Sequence, residues 1–136
     1  MASELVVTFP GNRRVDTRVG AHVIRTDQPV DGDGDDTAPS PYDLFLASIG
    51  TCAGVYVVGF CQKRQLPTER LRIRQVNQFD AESGVLSSVE LTIEVPPDFP
   101  EKYREALVRV ADQCAVKRDL QANPAFQVRT VVVGAA

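Results

Sequence analysis

The stretch Ser40-Pro-Tyr-Asp-Leu-Phe-Leu-Ala-Ser-Ile-Gly-Thr-Cys52-Ala-Gly-Val-Tyr-Val-Val-Gly-Phe-Cys61-Gln-Lys63 decides the fold. Between Asp43 and Lys63 it carries no charge, and it is apolar nearly all round. Ser40 suits an N-cap, Pro41 the first turn, and Asp43 completes a capping-box pattern. The helix is expected to run to about Arg64, where Leu66-Pro67 stops it, and Lys63-Arg64 complement its dipole. A helix from Ser40 to Arg64 is roughly 37 Å long at about 1.5 Å per residue. A globule of this chain length is only about 37 Å across. One sheet covers one side of such a helix, so the other side calls for a partner subunit and a two-fold dimer. Gly50, Gly54 and Gly59 each cost about 1 kcal/mol relative to Ala in a helix. Ala47, Gly50, Gly54, Val58 and Cys61 form one stripe of small residues, expected to admit a second helix at close range.

Around this helix the pattern alternates. Strands are expected over residues 3–9, 14–18 and 21–26, with Gly20 in a tight turn. Residues 70–80 and 85–95 read as a long antiparallel hairpin turning at Gly84, with Val89, Leu91, Ile93 and Val95 on one face. Residues 100–113 form an amphipathic helix, 116–121 a short helical piece, and 126–133 a final strand. The order is that of an α+β fold, read as a single domain over residues 1–136. The loop Asp31-Gly-Asp-Gly-Asp-Asp36 has calcium-loop spacing. However, Asp36 replaces the required Gly and Tyr42 the bidentate Glu, so it reads as a solvated acidic loop.

Composition bounds the function. The chain has 136 residues, 43% hydrophobic and 24% charged, with net charge −3 and scattered positives. Nucleic acid is therefore not an expected partner. The uncharged run is slightly short for a membrane span and rich in small residues, so no membrane is expected either. Met-Ala-Ser-Glu-Leu-Val-Val lacks a basic, apolar leader, which makes the cytoplasm the default location. A single His22 and three cysteines without CxxC exclude a Ser-His-Asp triad, a zinc site and a disulfide framework. No metal or cofactor is expected.

That leaves the thiols. Ser48, Cys52 and Tyr56 share a helical stripe, so Cys52 has a hydroxyl one turn away on each side, able to hold a thiolate or a substrate oxygen. Composition and spacing alone favour a packed core thiol at Cys52, at Cys61 and at Cys114, the last read as the tail of an apolar stripe.

The run Ser40-Pro41-Tyr42-Asp43-Leu44-Phe45-Leu46-Ala47-Ser48-Ile49-Gly50-Thr51-Cys52 resembles the central-helix signature of the OsmC/Ohr superfamily. Cys114-Ala115-Val116-Lys117-Arg118 resembles its second cysteine element, and the separation of the two cysteines suits the family. The resemblance implies two antiparallel sheets wrapped around long central helices of an intertwined homodimer. It implies a thiol peroxidase acting in oxidative stress, with Cys52 attacking an organic hydroperoxide and Cys114 resolving the sulfenic acid as a disulfide. A dithiol reductant, a lipoylated protein in the best-studied branch, then restores the pair.

In the peroxidase branches a Glu follows the helix-start Pro and, with an Arg from an N-terminal strand, orients the reactive Cys. Here that position is Tyr42, followed by Asp43. Arg14 is the leading candidate for the arginine, with Arg13, Arg18 and Arg25 as alternatives, because a thiol this deep in a helix needs a positive neighbour to ionise. Tyr42 is expected to donate or relay a hydrogen bond; Asp43, Ser48 and Tyr56 are expected to line the substrate. The chain thus resembles the OsmC-like redox-protein branch. The alternative is a non-catalytic dimer of the same fold that binds a small apolar ligand or serves as a thiol redox sensor.

Overall fold

The computed structural model describes residues 2–134. It is an α+β structure with two small antiparallel sheets. By contacts the chain divides into two compact units: one holds the residues up to Gly50 together with Gln75–Glu90, the other Thr51–Arg74 together with the chain from Leu91 onward.

In the first unit, β1 (Val7–Gly11), β2 (Arg14–Val19) and β3 (His22–Thr26) form an antiparallel sheet in that order. Gly20, with φ 59°, makes the two-residue turn that pairs Val19 with His22. Pro10 lies where the β1–β2 register shifts, between Thr8 and Gly11, and a bulge is where a residue without an N–H is tolerated.

The acidic loop after β3 is tied down from inside. Asp27 is fully buried, and its carboxylate accepts the Thr37 hydroxyl (2.6 Å), the Thr37 N–H (3.0 Å) and the Gln28 N–H (2.8 Å). These bonds, led by the Thr37 hydroxyl, hold its pKa down to about 2. A Cβ at Gly34 would overlap the Gln28 carbonyl, so only glycine fits there.

Helix α1 (Pro41–Lys63) starts on the expected capping box: Asp43 N–H donates to Ser40 Oγ (3.1 Å) and Ser40 N–H to the Asp43 carboxylate (3.3 Å). It ends in a Schellman motif. Leu66 N–H bonds Cys61 O (2.9 Å) and Gln65 N–H bonds Gln62 O (3.2 Å), with Gln65 left-handed at φ 56°.

The glycines of α1 do not form one helix-packing stripe. Gly50 faces Gln75: a Cβ there would stand 2.5 Å from Gln75 Oε1, and the Gln75 amide donates to Leu46 O (2.8 Å) and Asn77 Oδ1 (2.9 Å). Gly54 faces Ile73, while Ala47 and Val58 are exposed and Cys61 is buried. The first two glycines therefore admit strand side chains, and Gly59 alone has open space beside it. Among the described residues α1 is the one helix long and apolar enough to cross a membrane by length and composition. Its mean hydropathy is 1.9, with 28% of the apolar window buried.

Strands β4 (Arg72–Phe79) and β5 (Leu86–Glu94) form the hairpin, which contributes to both units. Asp80 holds its turn by accepting from Glu82 and Ser83, and Gly84 adopts φ 71°.

The core of the second unit gathers Ala53, Val57, Phe60 and Cys61 of α1, Phe99, and Leu107 and Ala111 of α2 (Arg104–Ala111). Ile73, Leu91, Ile93 and Val95 pack against it. The expected helix over residues 100–113 is shorter than read: a 3-10 turn (Glu101–Tyr103) precedes α2, which ends at Ala111. Cys114 is consequently not the tail of that helix. It is the N-cap of α3 (Ala115–Gln121).

The final strand expected over 126–133 is absent. Residues 123–134 have no regular structure, with Phe126, Val128 and Val132 at 87, 97 and 103% exposure. The pattern is strand-like, but a strand forms only against a partner edge.

Candidate active site: a thiol pair at the start of α3

Cys52 is the central residue of α1 and is half-buried. Its sulfur meets the start of α3. The backbone N–H groups of Val116 and Ala115 and the thiol of Cys114 donate to it. An N–H or S–H pointed at sulfur favours the anion, and the first turn of a helix carries partial positive charge. The pKa of Cys52 is therefore lowered, chiefly by the Val116 N–H and next by the Cys114 thiol, against the opposing effect of burial.

Cys114 is held in the complementary state. It is 2% exposed, and its sulfur accepts from the Lys117 N–H at 3.5 Å. Burial is the main force raising its pKa, and the neighbouring Cys52 adds to it. The surroundings of the two thiols thus push in opposite directions, towards the anion at Cys52 and away from it at Cys114. Cys61 behaves differently again. Fully buried in the core, it has its pKa raised by desolvation, which the Arg64 charge only partly offsets. None of the three cysteines is in a disulfide.

The other residues singled out in the sequence are placed as follows. Arg14 lies in the first unit, its guanidinium on Asp35 (2.9 Å) and 4.0 Å from Asp27. Arg13 sits 3.6 Å from Asp33. The groups that lower the Cys52 pKa are the backbone amides of Val116 and Ala115 and the Cys114 side chain. Tyr42 is half-exposed and packs its ring on Phe45 (5.5 Å between centroids) and Phe79 (6.4 Å). The Asp43 carboxylate is engaged in the helix cap. The Ser48 hydroxyl donates to Phe45 O (2.6 Å), so its hydrogen is spent on its own helix. Tyr56 is half-buried one turn beyond Cys52.

The site residues missed in the sequence are Ala115, Val116 and Lys117, which act through main-chain N–H groups. The one available signal was the Cys114 position ahead of Ala-Val-Lys-Arg-Asp-Leu, since a helix start leaves N–H groups free. A cavity of about 360 Å³ adjoins the pair's helix, lined by Asp112, Gln113, Lys117, Arg118 and Gln121. Lys117 and Asp112 form an ion pair across it.

Comparison with known proteins places this arrangement. Residues 32–129 match the family model described as OsmC-like protein. No curated protein matches the chain in sequence. Among solved structures, the chain resembles one from Psychrobacter arcticus 273-4, described provisionally as an osmotic stress induced and detoxification response protein. The TM-score is 0.72 at 21% identity, over 88% of each chain. It also resembles the OsmC like protein of Mycoplasma pneumoniae, with TM-score 0.68 and 12% identity over 90% of this chain and 89% of that one. The organic hydroperoxide resistance protein OhrB of Bacillus subtilis is a third likeness, with TM-score 0.54 and 19% identity over 89% and 93%.

Proposed function

Because the chain belongs to the OsmC-like protein family, we propose that it is a thiol-dependent peroxidase that reduces organic hydroperoxides through Cys52 and Cys114. One observation carries this reading: Cys52 is the one thiol of the three whose surroundings favour the thiolate, and the thiol that donates to it is Cys114. The thiolate is the nucleophile, and resolution needs a second thiol within reach. In the proposed cycle the Cys52 thiolate attacks the terminal peroxide oxygen, giving a sulfenic acid and an alcohol. Cys114 then displaces the sulfenic oxygen as water and closes a disulfide. A dithiol reductant, a lipoylated protein by family likeness, reopens it, and the polar cavity beside Cys114 is the proposed approach.

The two units are read as one OsmC-like domain working as a cytoplasmic homodimer. Support for the dimer comes from the uncovered side of α1, where Val55 is 70% and Val58 40% exposed and Gly59 has open space. A second reading, a dimer that binds an apolar ligand without catalysis, is favoured by the aromatic group of exposed Tyr42 and Phe79 with half-buried Phe45.

Stopped-flow mixing of the reduced protein with tert-butyl or cumene hydroperoxide separates the two. The peroxidase reading expects fast loss of two thiols per chain; thiols that persist for hours would leave the binding reading. Sedimentation at micromolar concentration is expected to give about twice the 14.9 kDa chain mass, and a stable folded monomer would remove the dimer.

A further inference from the structure

The far end of α1 carries a basic, aromatic patch that plays no part in the thiol chemistry. Phe60 belongs to the core of the second unit, and Arg64 covers its ring from outside. The guanidinium carbon stands 3.6 Å from the Phe60 ring centroid, and Nη1 donates to the Phe60 carbonyl (3.2 Å). The same carbon is 5.5 Å from the Tyr103 ring, which meets Phe60 edge-on with centroids 5.6 Å apart. Lys102, in the 3-10 turn before α2, holds its ammonium 5.0 Å from that Tyr103 ring. Lys63 precedes Arg64, and all three cations are exposed.

The dipole at the C-terminus of α1 accounts for Lys63 and Arg64. It does not call for Lys102, which another element brings to the same ring. Arg64 and Lys102 thus stand within about one Debye length of each other, ~10 Å at 0.1 M salt, and repel. Among the described residues none of the three forms an ion pair with a carboxylate, although the chain has 18 acidic residues to 15 basic ones and Glu101 shares the turn of Lys102. Arg64 is also fixed in place, by the Phe60 ring beneath it and the carbonyl beside it. Its remaining N–H groups form a planar fork of the kind that takes a carboxylate through two bonds. Fixing the fork in advance reduces the ordering cost of binding.

We infer that this patch is the docking point for an acidic carrier protein, whose dithiol reopens the Cys52–Cys114 disulfide. The inference rests on the peroxidase reading above. Arg64 lies twelve residues beyond Cys52 on α1, about 18 Å at about 1.5 Å per residue. A small anion held at Arg64 therefore does not touch the thiols, whereas a docked protein extends a dithiol across that distance on an arm. In the transfer, the Cys52–Cys114 bond breaks and an S–S bond forms within the carrier's dithiol. Two electrons and two hydrogens pass from carrier to protein, leaving Cys52 and Cys114 reduced. The patch supplies attraction and orientation and takes no part in the exchange. Its contribution is to association and is weakened by salt.

The test measures steady-state consumption of cumene hydroperoxide with two reductants: free dihydrolipoamide, and a dihydrolipoyl domain of net negative charge. Wild type is compared with Arg64→Gln and Lys102→Glu. The second variant leaves the Arg64–Phe60 stack in place, so it reports even if the first folds poorly. With the domain, both variants are expected to raise KM by about fivefold or more at unchanged kcat. With dihydrolipoamide, neither constant is expected to change. Salt is expected to raise the wild-type KM for the domain more steeply than that of either variant. An unchanged KM for the domain in Lys102→Glu would overturn the inference. An equal rise with dihydrolipoamide would overturn it too, by showing that the patch acts on the thiols and not on the carrier. So would a wild type with no lower KM for the domain than for dihydrolipoamide. In each of these cases hydroperoxide is still consumed and the peroxidase reading stands. A reduced wild type that leaves cumene hydroperoxide untouched removes that reading, and this inference with it.

Discussion

Cys52 and Cys61 stand nine residues apart on α1, and their surroundings push the two thiols in opposite directions. At Cys61 the neighbours are carbon: Phe60, Leu107 and Ala111 belong to the same core cluster, and the raised pKa is the cost of charging sulfur in that medium. At Cys52 the neighbours are N–H and S–H groups brought by a different helix. Neither position owes its character to α1 itself, which has no charge between its ends and whose N-terminal dipole is spent within the first turn. A helix presents the same atom type all along its length. What decides chemistry is whether the facing element offers a filled apolar surface or the unbonded amides of its own first turn.

The comparison is broken or sharpened most strongly by exchanging the sulfur. Cys52→Ser is expected to abolish hydroperoxide consumption, whereas Cys61→Ser retains it within about twofold. Activity in Cys52→Ser equal to wild type would mean that the distinction drawn between the two sites has no chemical consequence.

Next in size is the apolar wall at Cys61. Leu107 is 1% exposed in that core, and Leu107→Ala is expected to cost about 2–5 kcal/mol of unfolding free energy, measured by urea titration. Local opening should then also let Cys61 react with a maleimide at neutral pH. A Leu107→Ala protein with unchanged stability and an inert Cys61 would show that packing is not what silences it.

A smaller effect is the response of stability to alkali. The folded pKa of Cys52 is lowered, so its contribution is complete above the unfolded value near 9 and is lost as pH falls through the folded value. Cys61 and Cys114 are raised, so theirs is complete below about 9 and is lost as pH rises through the folded values. Between pH 8 and 10.5 the urea midpoint is expected to fall less in Cys61→Ser than in wild type, and more in Cys52→Ser. The reverse order would contradict the opposed directions assigned to the two sites.

The smallest change tests only how α1 ends beside Cys61. Gln65 holds the left-handed position of the Schellman motif, where a side chain costs about 1–2 kcal/mol and glycine costs less. After the entropy of the glycine itself, Gln65→Gly is expected to gain about 0.5 kcal/mol, with no change in Cys52 alkylation. A loss of stability would show that Gln65 makes contacts that outweigh its backbone strain.

Much of the fold was legible because its signals are local. The Ser40–Asp43 cap, the turns at Gly20 and Gly84 and the alternation of Ile73 and Gln75 each depend on residues a few positions apart. The family resemblance, too, rested on two short runs. What was not legible was tertiary. Nothing near Cys52 in sequence announces that the amides of Ala115 and Val116 will reach it. The glycine stripe was read as a seat for another helix because spacing reveals that a face is small, not what fills it. In the structure Gln75 and Ile73 come to Gly50 and Gly54. The shortening of the second amphipathic helix was hidden for a related reason. Gln113 and Cys114 continue its pattern, yet the chain turns after Ala111 to start α3.

The tail of the chain carries a consequence for handling the protein. Phe126-Gln-Val-Arg-Thr-Val-Val-Val133 is rich in β-branched residues, contains no proline, and has only Arg129 as a charge. Its valines stand open to solvent. Segments of this composition, when uncovered, template edge-to-edge pairing between chains and lead toward fibrils. A cover over this run would therefore also protect solubility. Preparations in which it stays bare should turn cloudy and bind thioflavin T on standing, and a lysine in place of Val132 should delay that without touching the thiols.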